Sequence, residues 1–137
     1  MAVDIGAIRE QMALALADVG VEVNPYARSN PLPPGIQVLP PEITYNFSFG
    51  GPVGYLTMVF TVQGYVALNE EIGPQQLLDE LLLPSGLKAA LEQDRTLGGL
   101  VADLNVEYSG PPRQLNLEGG SPMLVVDWRV SMHVLGA

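Results

Sequence analysis

Apolar and polar residues alternate with a period of two along three segments of this chain. In the segment 55–68, Leu56, Met58, Phe60, Val62 and Val66 fall on one side and Thr57, Val59, Thr61, Gln63 and Tyr65 on the other. In 123–134, Leu124, Val126, Trp128, Val130, Met132 and Val134 alternate with Val125, Asp127, Arg129, Ser131 and His133. In 100–108, Leu100, Ala102, Leu104, Val106 and Tyr108 alternate with Val101, Asp103, Asn105 and Glu107. Successive side chains of a strand point to opposite faces, so each segment predicts a half-buried strand. Gly64 interrupts the apolar side of the first and predicts a bulge or the close approach of a helix. A further strand is expected at 42–49 and a short first one at 21–23, with at most short β pieces around 36–39; residues 113–117 are a short piece between two turns.

Elsewhere the apolar spacing is helical. Ile5, Ile8, Met12, Leu16 and Val19 share one helix face, with Asp4 placed to cap its start and Gly20 to end it. A second helix opens near Pro74 and carries Leu77, Leu78, Leu81 and Leu82. Pro84 breaks it, Ser85 is placed to cap a third short helix bearing Leu87, Ala90 and Leu91, and Gly98-Gly99 reverses the chain. The order α-β-β-β-α-α-β-β predicts an α+β fold: an antiparallel β-sheet with helices packed on one face, a two-layer sandwich.

Two segments stand apart from this grammar. Residues 24–41 hold six prolines, Pro31, Pro33 and Pro34 among them, which remove backbone donors and favour extended conformations. That segment is an extended arm laid over a neighbouring subunit or a plain surface loop; its PxxP spacing lacks the basic flanks of a recognition motif. Gly50-Gly51-Pro52-Val53-Gly54 predicts a hairpin tip, since no Lys-Ser/Thr pair follows as in a phosphate cradle.

The length of 137 residues predicts one domain, 1–137, able to bury a core without staples. There is no cysteine, which excludes disulfides and thiolate chemistry. No basic leader and no apolar run long enough to span a bilayer occurs, so a soluble, reducing compartment and no membrane contact are expected. Only 15% of residues are charged while 47% are hydrophobic. Soluble domains average about 25% charged, so part of this surface is expected to be covered by other protein. The formal charge of −9 opposes a nucleic-acid grip, which needs clustered cations.

Catalytic chemistry is not announced. The single histidine, His133, shares a strand face with Ser131 and Asp127, but at two- and six-residue offsets that converge on nothing. Glu70-Glu71 and Asp79-Glu80 are neighbours in sequence and point apart. No nucleotide, calcium or zinc motif is present. The expectation is a non-enzyme without metal or cofactor.

The run Leu87-Lys88-Ala89-Ala90-Leu91-Glu92, then Asp94-Arg95-Thr96-Leu97-Gly98-Gly99-Leu100-Val101, then Asp103-Leu104, resembles the corresponding segment of tail terminator proteins of long-tailed (siphovirus-type) phages of actinobacteria, a family similar to the lambda tail terminator. Asn30-Pro31 and the Trp128 strand are weaker echoes. The resemblance implies a sheet flanked by helices, assembled as a hexameric ring. Such a ring caps the head-proximal end of the tail tube, stops tube polymerisation and offers the docking face for the head-tail connector.

It implies a virion protein made in the bacterial cytoplasm. Its partners would be its own copies in a homo-hexamer, the tail tube protein and a head-closure protein, with DNA passing through unbound. The dense proline arm and the Gly-rich tip before Tyr55 depart from the pattern.

On this basis Arg95, Thr96, Leu97 and Gly98, together with Pro31, Pro33 and Pro34, are candidate subunit-interface positions. Arg95 is the charged anchor, or else pairs locally with Asp94 or Glu92. Asp103, Glu107 and Asp127 are candidates for the ring's bore or polar sheet face, where net acidity would repel DNA phosphates. The alternatives are a head-closure or tail-completion connector protein of the same neck region and, from a different class, a small-molecule-binding α+β domain.

Overall fold

The computed structural model describes residues 4–17, 19, 21–27, 34–46, 55–67, 73–115 and 122–135. They form, in chain order, α1 (Ile5–Ala15), β1 (Glu22–Asn24), β2 (Gly35–Val38), β3 (Glu42–Asn46), β4 (Tyr55–Ala67), α2 (Gly73–Leu82), α3 (Leu87–Glu92), β5 (Asp103–Ser109), β6 (Arg113–Leu115) and β7 (Met123–Leu135). The architecture is the α+β one that the periodicity predicts.

The two longest alternating segments become the two central strands. β4 and β7 pair antiparallel without interruption from Tyr55↔Leu135 to Ala67↔Met123. Each is long enough to carry two shorter strands end to end on its outer side. β2 pairs with residues 62–65 of β4 and β3 with residues 55–59, while β5 takes residues 128–133 of β7 and β6 residues 123–125. The sheet order is β1-β2-β4-β7-β5, with β3 beside β4 and β6 beside β7. One pair is parallel, β1 on β2, and makes the sheet mixed. A parallel neighbour needs a crossover connection rather than a hairpin, and here the proline-bearing segment supplies it. Of the residues read as an arm, the stretch 35–38 is thus an inner strand, buried throughout. Gly20, the 50–54 tip, Pro31 and Pro33 lie outside the described residues.

All three helices cover one face. Their residues Ile8, Met12, Leu16, Leu78, Leu81, Leu87 and Leu91 join Ile36, Val38, Met58, Phe60, Val62, Leu104, Val106, Val126, Trp128, Val130 and Met132 in a single core. Each such side chain contributes roughly 1.5–3 kcal/mol by leaving water. A small second cluster on the opposite face, Tyr65, Met123 and Val125 with Leu115 against it, lies under one end of the sheet.

Local signals held in part. Asp4 caps α1 as expected, its Oδ1 accepting from the Ala7 N–H at 3.1 Å, but the helix ends at Leu16. Gly86, not Ser85, is the N-cap of α3, and no side chain caps it. A Cβ at Gly86 would fall 2.4 Å from the Glu80 carbonyl oxygen, so the close return of the chain onto α2 requires glycine there.

β5 begins at Asp103 rather than at residue 100. Leu97, Gly98 and Gly99 all have positive φ (49°, 71° and 94°), and this reversal sends Leu97 and Val101 into the core and Leu100 outward. A register shift between Val106 and Tyr108 then breaks the alternation again, leaving Tyr108 opposite Arg129 and 59% exposed.

At Gly64 neither a bulge nor a helix is found. The register runs through Gly64↔Val126, and the neighbour is the Trp128 ring, whose Cζ3 would stand 2.8 Å from a Cβ there. The diagonal aromatic fills the place of the missing side chain.

Arg9 ties α1 to the strands. Only 7% exposed, it donates from Nη1 to the Pro25 carbonyl at 3.1 Å and the Val38 carbonyl at 3.3 Å, with its guanidinium 4.7 Å from the Tyr26 ring centre. The two carbonyls bracket the proline-rich segment, so one side chain clamps its base.

Gly64→Ala should lower unfolding stability by about 1–3 kcal/mol, because the rigid indole must shift to admit a methyl group; a denaturant midpoint unchanged from wild type would contradict the packing. Arg9→Met keeps the length of the side chain but loses its donors, and should cost about 2–3 kcal/mol in the same measurement.

Candidate functional site

The face of the sheet turned away from the helices is built from side chains that meet across strands. Residues directly opposite on antiparallel strands hold their Cβ atoms about 5 Å apart, so each register row becomes a row of contacts. In one row Gln37, Gln63 and Asp127 stand opposite one another. Gln37 Nε2 donates to Gln63 Oε1 at 2.8 Å, Gln63 Nε2 to Asp127 Oδ1 at 3.1 Å, and Arg113 Nη1 to Asp127 Oδ2 at 2.7 Å. This ladder spans β2, β4, β7 and β6, and its inner end, Gln37, is buried.

The next rows along the strands are Thr61↔Arg129, Val59↔Ser131↔Asn105 and Thr57↔His133↔Asp103. Arg129 Nε donates to Glu107 Oε2 at 2.8 Å. Arg95 reaches Asp103 with two bonds, from Nε at 2.9 Å and from Nη2 at 3.2 Å. These bonds from Arg95 hold the Asp103 carboxyl below its ordinary range, against the opposing effect of partial desolvation. The guanidiniums of Arg95 and Arg129 are in turn pushed up by the carboxylates that accept from them. All of these pairs are substantially exposed, so each contributes little stability. Their main effect is on the field.

Asp103, Glu107 and Asp127 each carry an arginine. All three lie on the polar sheet face, and their charges are compensated at contact distance. Sequence could not show this, because the arginines arrive from a turn, from β6 and from β7. Uncompensated carboxylates on this face lie at its margin, Glu22 on β1 and Glu42 on β3; Glu10, Asp79 and Glu80 are on the helices. None of the five forms an ion pair among the described residues.

The remaining candidates are distributed as follows. Asp94 organises the 94–99 turn: it accepts from the Thr96 hydroxyl at 2.8 Å, the Thr96 N–H at 3.0 Å and the Gly98 N–H at 2.9 Å. Arg95, Thr96 and Gly98 are exposed on this turn, whereas Leu97 points into the chain's own core. Arg95 is held by Asp103, with Glu92 at 3.8 Å, and Asp94 is occupied by the turn. Pro34 is exposed beside β2.

His133 Nδ1 lies 3.5 Å from Thr57 Oγ1, while Asp127 faces Gln63 and Arg113, so Asp127 does not orient His133 as a triad would require. Among the described residues no group of three or more His, Cys, Asp or Glu is placed to hold a metal, and no helix is long and apolar enough to cross a membrane. A groove of about 490 Å³ that the sequence did not reveal runs along the polar face between Pro40, Pro41 and Glu42 on one side and Tyr108 and Arg129 on the other. Tyr108 reaches it only through the register shift in β5.

The Asp94 carboxyl sits below its ordinary value of 3.8, mainly because the Thr96 hydroxyl and then the Gly98 and Thr96 N–H groups bond its charged form. A depressed carboxylate contributes order to the turn at pH above that ordinary value, and the contribution is lost as pH falls through the depressed one. The Thr96 and Gly98 amide resonances should therefore titrate together with a midpoint below 3.8; a midpoint at or above it would remove Asp94 from this role.

No protein-family model matches the chain, and no curated protein matches it. Among solved structures, it is similar to a chain in the virion of a native gene transfer agent (GTA) particle, with 16% sequence identity and a TM-score of 0.46, over 96% of this chain and 94% of that one.

Proposed function

We propose that this chain is a structural virion protein: one subunit of a homo-hexameric ring that caps the head-proximal end of a phage tail tube, ends tube polymerisation and presents a docking face to the head-closure connector. The sequence block 87–104 supports the family reading. In the fold it is one connected unit, α3, the Asp94-capped turn and the start of β5, joined by the Arg95–Asp103 pair.

The observation that carries the reading is the state of charge on the open sheet face. A broad polar surface crosses four strands, and each arginine on it is bound by a carboxylate. Such a surface leaves no described cation free to grip phosphate, and its central carboxylates add no strong repulsion. DNA could slide past it, or a second protein layer could cover it, without a large desolvation cost. A bore lined by this face would be neutral by pairing rather than net acidic.

The test is the mass of the purified protein across concentrations, followed by electron microscopy alone and with tail tubes. Six-fold rings, or a monomer that forms rings only on tube ends, are expected. Rings that join head-side connectors but ignore tube ends would favour a head-closure protein. A compact monomer that ignores tubes and melts higher with a small ligand would overturn the assembly reading in favour of a binding domain, for which the groove lined by Ala15, Leu77, Leu81 and Ala90 between the helices is the place to look.

A further inference from the structure

β5 is the last strand of the sheet, and its outer side has no strand partner among the described residues. In an antiparallel ladder alternate residues point their N–H and C=O away from the neighbour, and at a free edge those groups form a template for another strand. Val106 is such a residue. It stands opposite Val130 on β7, yet its N–H donates to Glu92 Oε2 at 2.9 Å and its C=O accepts from Lys88 Nζ at 3.2 Å.

Lys88 and Glu92 are four residues apart on α3 and also bond to each other. Together they present one donor and one acceptor to the edge, as a residue of an adjoining strand would. The Arg95–Asp103 pair lies at the start of the same strand. The arrangement is specific, since both outward groups of one residue are satisfied by two side chains of one helical turn.

We propose that Lys88 and Glu92 close the β5 edge against strand addition by a second copy of this chain. Two strands on the opposite margin of the sheet have a single strand partner among the described residues, β1 and β3, and the one that would otherwise dock is β3, the longer at five residues against three. β3 of one copy on β5 of the next is a head-to-tail contact, and contacts of that kind repeat into open filaments when the rotation between copies does not close. An edge occupied by Lys88 and Glu92 prevents this, because an incoming strand must first displace the two charge-assisted bonds that these side chains make to Val106. The inference does not depend on the ring: it concerns which edge stays closed while the chain is free in solution.

The experiment compares wild type, Glu92→Gln and Lys88→Ala/Glu92→Ala by light scattering over a wide concentration range, with far-ultraviolet circular dichroism to confirm folding. The double variant should grow with concentration into species larger than any wild type forms. Glu92→Gln, which keeps an oxygen able to accept from Val106, should stay at the wild-type mass. A folded double variant with the wild-type mass throughout would overturn the proposal, as would Glu92→Gln assembling as readily as the double variant.

Hydrogen exchange gives a reading on wild type itself, whatever the variant does. The Val106 amide should be among the slow amides of β5, and a fast one would overturn the proposal. In Glu92→Ala at low concentration it should exchange roughly tenfold faster, the effect of losing a bond to a charged acceptor.

Discussion

The fold depends on the uninterrupted pairing of β4 with β7. Thirteen residue pairs in one register place Met58, Phe60 and Val62 with Val130, Trp128 and Met132 on the helix side, and Gln63 with Asp127 on the other. A slip of one residue would exchange the faces of every pair, burying glutamine and aspartate under the helices and exposing the tryptophan. The Trp128 ring over Gly64 makes that register specific, since the indole needs a position without a side chain diagonal to it. The shorter strands take their places on the outer sides of this pair, two on β4 and two on β7.

From that register comes the character of the open face. Rows of opposed residues become rows of contacts, and the rows contain amides, hydroxyls and paired charges rather than a convergent set of reactive groups. Gln37, Gln63, Asp127 and Arg113 form a ladder because three of them share a register row and the fourth comes from β6. Among the described residues, the carboxylates without an ion pair include Glu22 and Glu42 at the sheet margin and Glu10, Asp79 and Glu80 on the helices.

The block 87–104 links this face to the edge of the sheet. α3 sends Lys88 and Glu92 to Val106, the turn is held by Asp94, and Arg95 reaches Asp103. The cost is a leucine in the left-handed region at position 97, which burial of its side chain offsets. A segment that resembles a family in sequence is here also a mechanical unit, in which most polar side chains have a partner within the unit.

By itself the sequence determined the two long central strands, the three helices and the sidedness of the sheet, because period-two and helical spacing are local consequences of backbone geometry. Leu56 to Val66 and Leu124 to Val134 could hardly form anything else. It also named Asp4 as a cap and Gly98-Gly99 as a reversal, since those depend on neighbours a few residues away.

Only the tertiary structure decided the rest. The parallel β1–β2 pair, the placement of β2 as an inner strand and the Gly86 cap depend on which segments lie side by side. So does the meaning of the charges: Asp103, Glu107 and Asp127 read as a negative surface along the chain, but partners 8, 22 and 14 residues away cancel them. Charge compensation is set by distance in space, and the spacing of residues along a strand cannot report it.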